Sequence, residues 1–113
     1  MNVELDQLNA VLNQARSQAT VAAKNVLREY YNGEDGGCCG FAWVTVFGVR
    51  VNSKVGKLLA AAGFDKAYGG GLQLWNPSDL NVQNIDAKEA GARVYAEALR
   101  NIGLHAYAGS RLD

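Results

Sequence analysis

The sequence predicts an α+β domain, a mainly antiparallel sheet of about four strands packed by helices, in the order α-β-α-β-β-α-β. Three observations carry this. A long apolar stripe at helical spacing opens the chain, a run from Phe41 to Val51 alternates like a strand, and two short β-forming runs flank Gly69-Gly70-Gly71. At 113 residues and 12.1 kDa, 49% apolar and 19% charged, the chain has material for one core and suits a single domain spanning 1–113.

In the first element, predicted over residues 3–31, Leu5, Leu8, Leu12, Ala15, Ala19, Ala22, Val26 and Tyr30 recur at intervals of three and four. Asn2 suits the N-cap, Glu4 and Asp6 the positive end, and Asn32-Gly33 the stop. Such a helix would be about 40 Å long, against a radius of gyration of about 13 Å for a domain of this size. Either it lies across its own sheet, or part of its stripe meets a partner chain.

Gly33, Gly36, Gly37 and Gly40 mark a loop, and the strand that follows alternates Phe41, Trp43, Thr45, Phe47 and Val49 with Ala42, Val44, Val46 and Gly48. Both faces are apolar, which predicts a central strand covered on both sides. Should helices cover only one, its aromatic face becomes an interface for a second subunit. Ser53 caps a short helix ended by Gly63, and Phe64–Tyr68 with Leu72–Trp75 form a hairpin that Asn76-Pro77-Ser78 terminates. Asp86-Ala-Lys-Glu89 has the pattern of a capping box, opening a helix with Ala87, Ala90, Val94, Ala98 and Ile102 on one stripe and Gly91 and Tyr95 beside it. Leu104–Asp113 reads as a final edge strand.

Composition excludes several classes of function. Eleven basic residues balance eleven acidic ones, which argues against a nucleic-acid binder working by bulk electrostatics. A nucleic-acid site would need Arg50, Lys54, Lys57 and Lys66 gathered on one face. No apolar run approaches the roughly 18 residues of a membrane span. The opening Met-Asn-Val-Glu-Leu-Asp is acidic and polar, unlike a secretory signal, so the expected location is the cytoplasm. The two cysteines, Cys38 and Cys39, are adjacent and staple nothing distant; with the single His105 they fall short of a four-ligand zinc site. No metal and no cofactor is implied.

Three sets of residues are candidates for chemistry. Cys38 or Cys39 with His105 would make a small cysteine-dependent enzyme, although Glu34 and Asp35 would raise the thiol pKa. Arg50, Lys54 and Lys57 surround the start of the short helix, where an anion could be held; the surrounding glycines and lysine miss the P-loop spacing. Trp43, Tyr68, Trp75 and Asn76 supply aromatic faces and an amide, the chemistry of a sugar or base pocket.

Cys39-Gly-Phe-Ala-Trp-Val-Thr-Val46 and Leu74-Trp-Asn-Pro-Ser78 resemble segments of small uncharacterised proteins of tailed phages, including marine cyanophages. The likeness runs from about Gly37 to Ser78, less clearly through Asn84–Gly91, and leaves the N-terminal helix uncovered. It implies a viral or environmental origin and work inside an infected bacterial cell. It carries no activity, cofactor or catalytic residue onto these positions. The expectation is therefore an accessory protein that binds a partner or small ligand, as a homodimer.

Overall fold

The computed structural model describes residues 3–113. Among them the elements run α1 (Leu5–Tyr31), β1 (Gly40–Phe47), α2 (Lys54–Ala61), β2 (Asp65–Lys66), β3 (Leu72–Trp75), α3 (Ile85–Arg100) and β4 (His105–Leu112), the order the sequence predicts. The strands form one antiparallel sheet ordered β2-β3-β1-β4, with Trp43 opposite both Trp75 and Gly109. From β1 onward this is the connectivity of the split β-α-β arrangement, with α1 added in front.

α1 packs along another helix, α3, rather than directly across the sheet as the sequence predicts. Its 27 residues at 1.5 Å each span about 40 Å, nearly the whole 42 Å long dimension of the molecule. Leu8, Leu12, Ala15, Ala19, Ala23 and Leu27 are buried, and the helix packs along α3 of its own chain. The predicted stripe is therefore correct through Ala19 and then drifts. Ala22 and Val26 are half-buried and Tyr30 is 74% exposed, because α3 engages the i, i+4 row that continues to Ala23 and Leu27. Small residues let the two helices approach. A Cβ on Gly91 of α3 would stand 2.8 Å from Ser78 Cβ and 3.1 Å from the Ala19 carbonyl oxygen. The proposed cap Asn2 lies outside the described residues; Glu4 occupies the N-cap position without a side-chain hydrogen bond, and Asn32 closes the helix in the left-handed region at φ 54°.

α3 starts earlier than its apparent capping box. The Asn84 side chain is the cap, accepting from Ala87 N at 2.8 Å, so Asp86 falls inside the first turn and instead accepts the Tyr31 hydroxyl. Its buried set is also wider than one stripe. Ile85, Ala87, Ala92, Tyr95, Ala96 and Leu99 are all buried, since α3 meets both the sheet and α1, while Val94, Ala98 and Ile102 are only half-buried.

The central position of β1 follows the prediction, but its coverage does not. Ala42, Val44 and Val46 are sealed in a core with Leu8, Leu12, Ala96 and Leu99. Among the described residues no helix lies over the opposite face, Phe41, Trp43, Thr45 and Phe47. All the helices feed one core, and the small inner-face residues are those that a helix can approach closely.

Candidate functional site

The uncovered face of the sheet is the candidate site. Strand alternation puts Phe41, Trp43, Thr45 and Phe47 on it, and antiparallel pairing adds their neighbours: Trp75 and Gln73 from β3, and His105, Tyr107, Gly109 and Arg111 from β4. Trp43 and Trp75 stack with ring centroids 4.9 Å apart, and Phe41 meets Trp75 edge-on at 6.2 Å. Phe47 and Tyr107 form a second pair at 6.3 Å. Between the two clusters Gln73 Nε2 donates to Thr45 Oγ1 at 3.3 Å. Trp75, Phe47 and Tyr107 are 49%, 43% and 52% exposed, so apolar area on one flat surface is left in water.

Cations border this surface. Arg111 lies 5.4 Å over the Phe41 ring, and Lys88 Nζ, buried and donating to the Gly40 carbonyl at 2.9 Å, stands 5.5 Å from the same ring. Arg100 covers Tyr107 at 5.9 Å while Nη1 donates to the Ala106 carbonyl. The opposite edge carries Asp65, paired with Gln73. Gly109 makes the surface flat: a Cβ there would stand 2.4 Å from the Trp43 indole nitrogen.

Of the predicted ligand set, the structure joins Trp43 to Trp75 and separates the rest. Tyr68 is fully exposed at the hairpin tip. Asn76 turns away into the turn after β3, donating through Nδ2 to the Leu80 carbonyl and accepting from Ser78 Oγ, each at 3.0 Å. Its φ of 51° and its backbone bond to the Ala42 carbonyl give it a structural role.

The cysteine–histidine pairing is not assembled. Gly40 pairs with Leu112 while Phe47 pairs with His105, which sets Cys39, just before β1, and His105 at opposite ends of the strand, about 26 Å apart at strand rise. Both thiols are exposed. The nearby acid Asp35 is taken up structurally, its carboxylate accepting from Gln83 N and Asn84 N at 2.8 and 2.9 Å. At α2, Ser53 Oγ accepts from Gly56 N, and so fills part of the helix end offered to an anion. Lys54 and Lys57 border a shallow depression together with Asp6 of α1. Lys66 sits on the outer strand β2.

Tyr107 and Arg111 belong to the site although the sequence did not single them out, whereas Phe47 was foreseen only as part of the strand's aromatic face. Their signal is the odd-numbered alternation of β1 continued by His105, Tyr107 and Arg111 on β4. Neither a protein-family model, nor a curated protein, nor a solved structure matches the chain. Among the described residues no helix is long and apolar enough to cross a membrane, and no cluster of three or more metal-ligating side chains is present.

Proposed function

We propose that this protein works by binding and that its working surface is the aromatic face of the sheet, covered by a second copy of the chain in a homodimer. One observation carries the reading: Trp75, Phe47 and Tyr107 stand about half exposed on a sheet face that no helix covers. Burying such a face against its own copy removes apolar area from water without any new element. The distribution of charge favours self-association. A two-fold axis parallel to the strands lays the β2 edge of one copy, with Asp65, over the β4 edge of the other, with His105, Tyr107 and Arg111. α1 adds no support to self-association, since α3 of the same chain already meets its buried stripe. From the resemblance to phage proteins we propose the cytoplasm of an infected cell as the place of this work.

Light scattering after size-exclusion chromatography tests the proposal. A mass twice the 12.1 kDa of the chain is expected. Tyr107→Glu keeps Arg100 as a neighbour in the monomer but places a carboxylate opposite Asp65 of the other copy, and should return the mass to that of one chain. A wild-type mass of 12.1 kDa at every concentration, or a Tyr107→Glu variant still at twice that value, refutes the dimer.

A further inference from the structure

On the helical side of the molecule, α1, the end of α2, the end of β3 with the turn after it, and α3 enclose a cleft of about 350 Å³, which reaches Trp75 at its edge. That volume lies in the range of small-molecule sites. Leu12, Leu74 and Ala62 make its apolar walls. Arg16 and Asp79 form an ion pair at its mouth, both side chains more than half exposed.

Tyr95 also lines the cleft. Its side chain is 98% buried (2% exposed), yet among the described residues its hydroxyl has no hydrogen-bond partner. No fully enclosed side-chain oxygen or nitrogen among them lacks a partner, so the hydroxyl keeps its contact with the cleft. Facing the cleft without a protein partner, the hydroxyl is free to donate to a bound molecule. Burial pushes its pKa up to about 12 against the lowering influence of Arg16, so the group stays a neutral donor.

Asp79 is presented rigidly. Its backbone sits in the left-handed region at φ 59° and donates to the Asn76 carbonyl at 3.0 Å. Ser78 beside it is fully buried against Gly91. The turn is thus held from both sides, and the carboxylate stays beside the Arg16 guanidinium.

The polar groups define the ligand. Arg16 and Tyr95 donate, Asp79 accepts, and the pair carries no net charge. An anion meets the Asp79 carboxylate and a cation meets Arg16, which leaves a neutral molecule with a carbonyl next to an N–H. The apolar walls favour a flat ring over a polyol, whose hydroxyls would go unpaired against Leu12 and Leu74. We propose that this cleft binds a neutral heterocycle with an amide edge, a nucleobase or its nucleoside, with the carbonyl on Arg16 and Tyr95 and the N–H on Asp79. The cleft shares only Trp75 with the proposed dimer face, and none of Arg16, Tyr95 and Asp79 belongs to that face.

Isothermal titration of the full chain with uridine, cytidine, adenosine, guanosine and, as the polyol control, ribose tests this. Saturable binding of at least one nucleoside and none of ribose is expected. Tyr95→Phe keeps the buried ring and should weaken binding about fivefold. Asp79→Gly suits the left-handed backbone and should weaken it about tenfold or more. Phe47→Arg, on the opposite face of the sheet, should leave the affinity unchanged. The proposal is overturned if no nucleoside binds, if ribose binds as well as the nucleosides, or if both cleft variants keep wild-type affinity. Circular dichroism of each variant reads folding separately, and exposed Asp79 keeps the test decisive if Tyr95→Phe fails to fold.

Discussion

The two faces of β1 divide the same strand into opposite roles. Ala42, Val44 and Val46 are small, at most 1% exposed, and locked under the helices. Phe41, Trp43 and Phe47 are far larger and remain partly in water. Size runs against burial here, although fully burying a Phe side chain gains about 1.5–3 kcal/mol. Close approach of a helix to a sheet selects small and branched side chains, and the aromatic residues gather where nothing has to fit against them within the chain. The inner face holds the fold and the outer face is left for a partner.

The sharpest way to break this contrast is a charge on each side. Val44→Asp puts an unpaired carboxylate among Leu59, Leu99 and Ala106. Several kcal/mol are lost, a large part of the roughly 5–15 kcal/mol that holds a domain together. Loss of the far-ultraviolet helical signal at room temperature is the expected result, and a cooperative native-like melt would refute the assigned inner face.

Tyr95 probes the same interior through pH. It packs against Phe64 with centroids 6.0 Å apart, and its hydroxyl titrates near 12 in the folded state against 10.0 for an ordinary tyrosine. The folded chain thus holds this proton more tightly than the unfolded one. The stabilisation is fully present below pH 10, and it is lost as pH rises through about 12. A shift of this size corresponds to about 3 kcal/mol. Urea denaturation from pH 9 to 12 should show stability falling less steeply in Tyr95→Phe than in wild type. Tyr31 also titrates high, because it donates to Asp86, and it contributes equally to both proteins.

How much of this was legible differs between the two faces. The order of elements follows from local signals: the apolar period of α1, the left-handed stop at Asn32, the triple glycine and the alternation of β1. The side of β1 that the helices choose is a tertiary outcome, and a strand apolar on both faces does not encode it. The α3 cap shows the same limit: Asp86 and Glu89 fit a capping pattern, yet the Asn84 side chain takes the role two residues earlier. Half of the aromatic site was visible as Trp43 and Trp75, while Tyr107 and Arg111 join only through the β1–β4 register. The cleft was out of reach, since Arg16 and Asp79 lie 63 residues apart and nothing local links them.

Gly109 offers a moderate test on the outer face. Its missing side chain is the space in which the Trp43 indole lies, and a Cβ at this position would stand only 2.4 to 2.8 Å from three indole atoms. Gly109→Val forces the ring off the sheet and costs about 2 kcal/mol, the usual range for overpacking. Trp43 emission should shift to the red as the indole leaves its stack with Trp75. An unchanged spectrum with unchanged stability would mean that the flat seat under Trp43 is unimportant.

The smallest effect on folding separates the two roles most cleanly. Phe47 is 43% exposed at the end of β1 and touches only Tyr107 among the aromatic rings. Phe47→Arg removes one aromatic contact and should change the stability of the isolated chain by about 0.5 kcal/mol or less, measured in dilute solution where copies do not meet. The same arginine sits within the proposed dimer contact, among aromatic rings that lose their cover. Association should therefore weaken by at least tenfold, read from the dependence of mass on concentration. If folding and association fell together, the outer face would be part of the core in the same sense as Val44. If association fell alone, the division between a face that folds the chain and a face that joins two chains would hold at the level of a single strand.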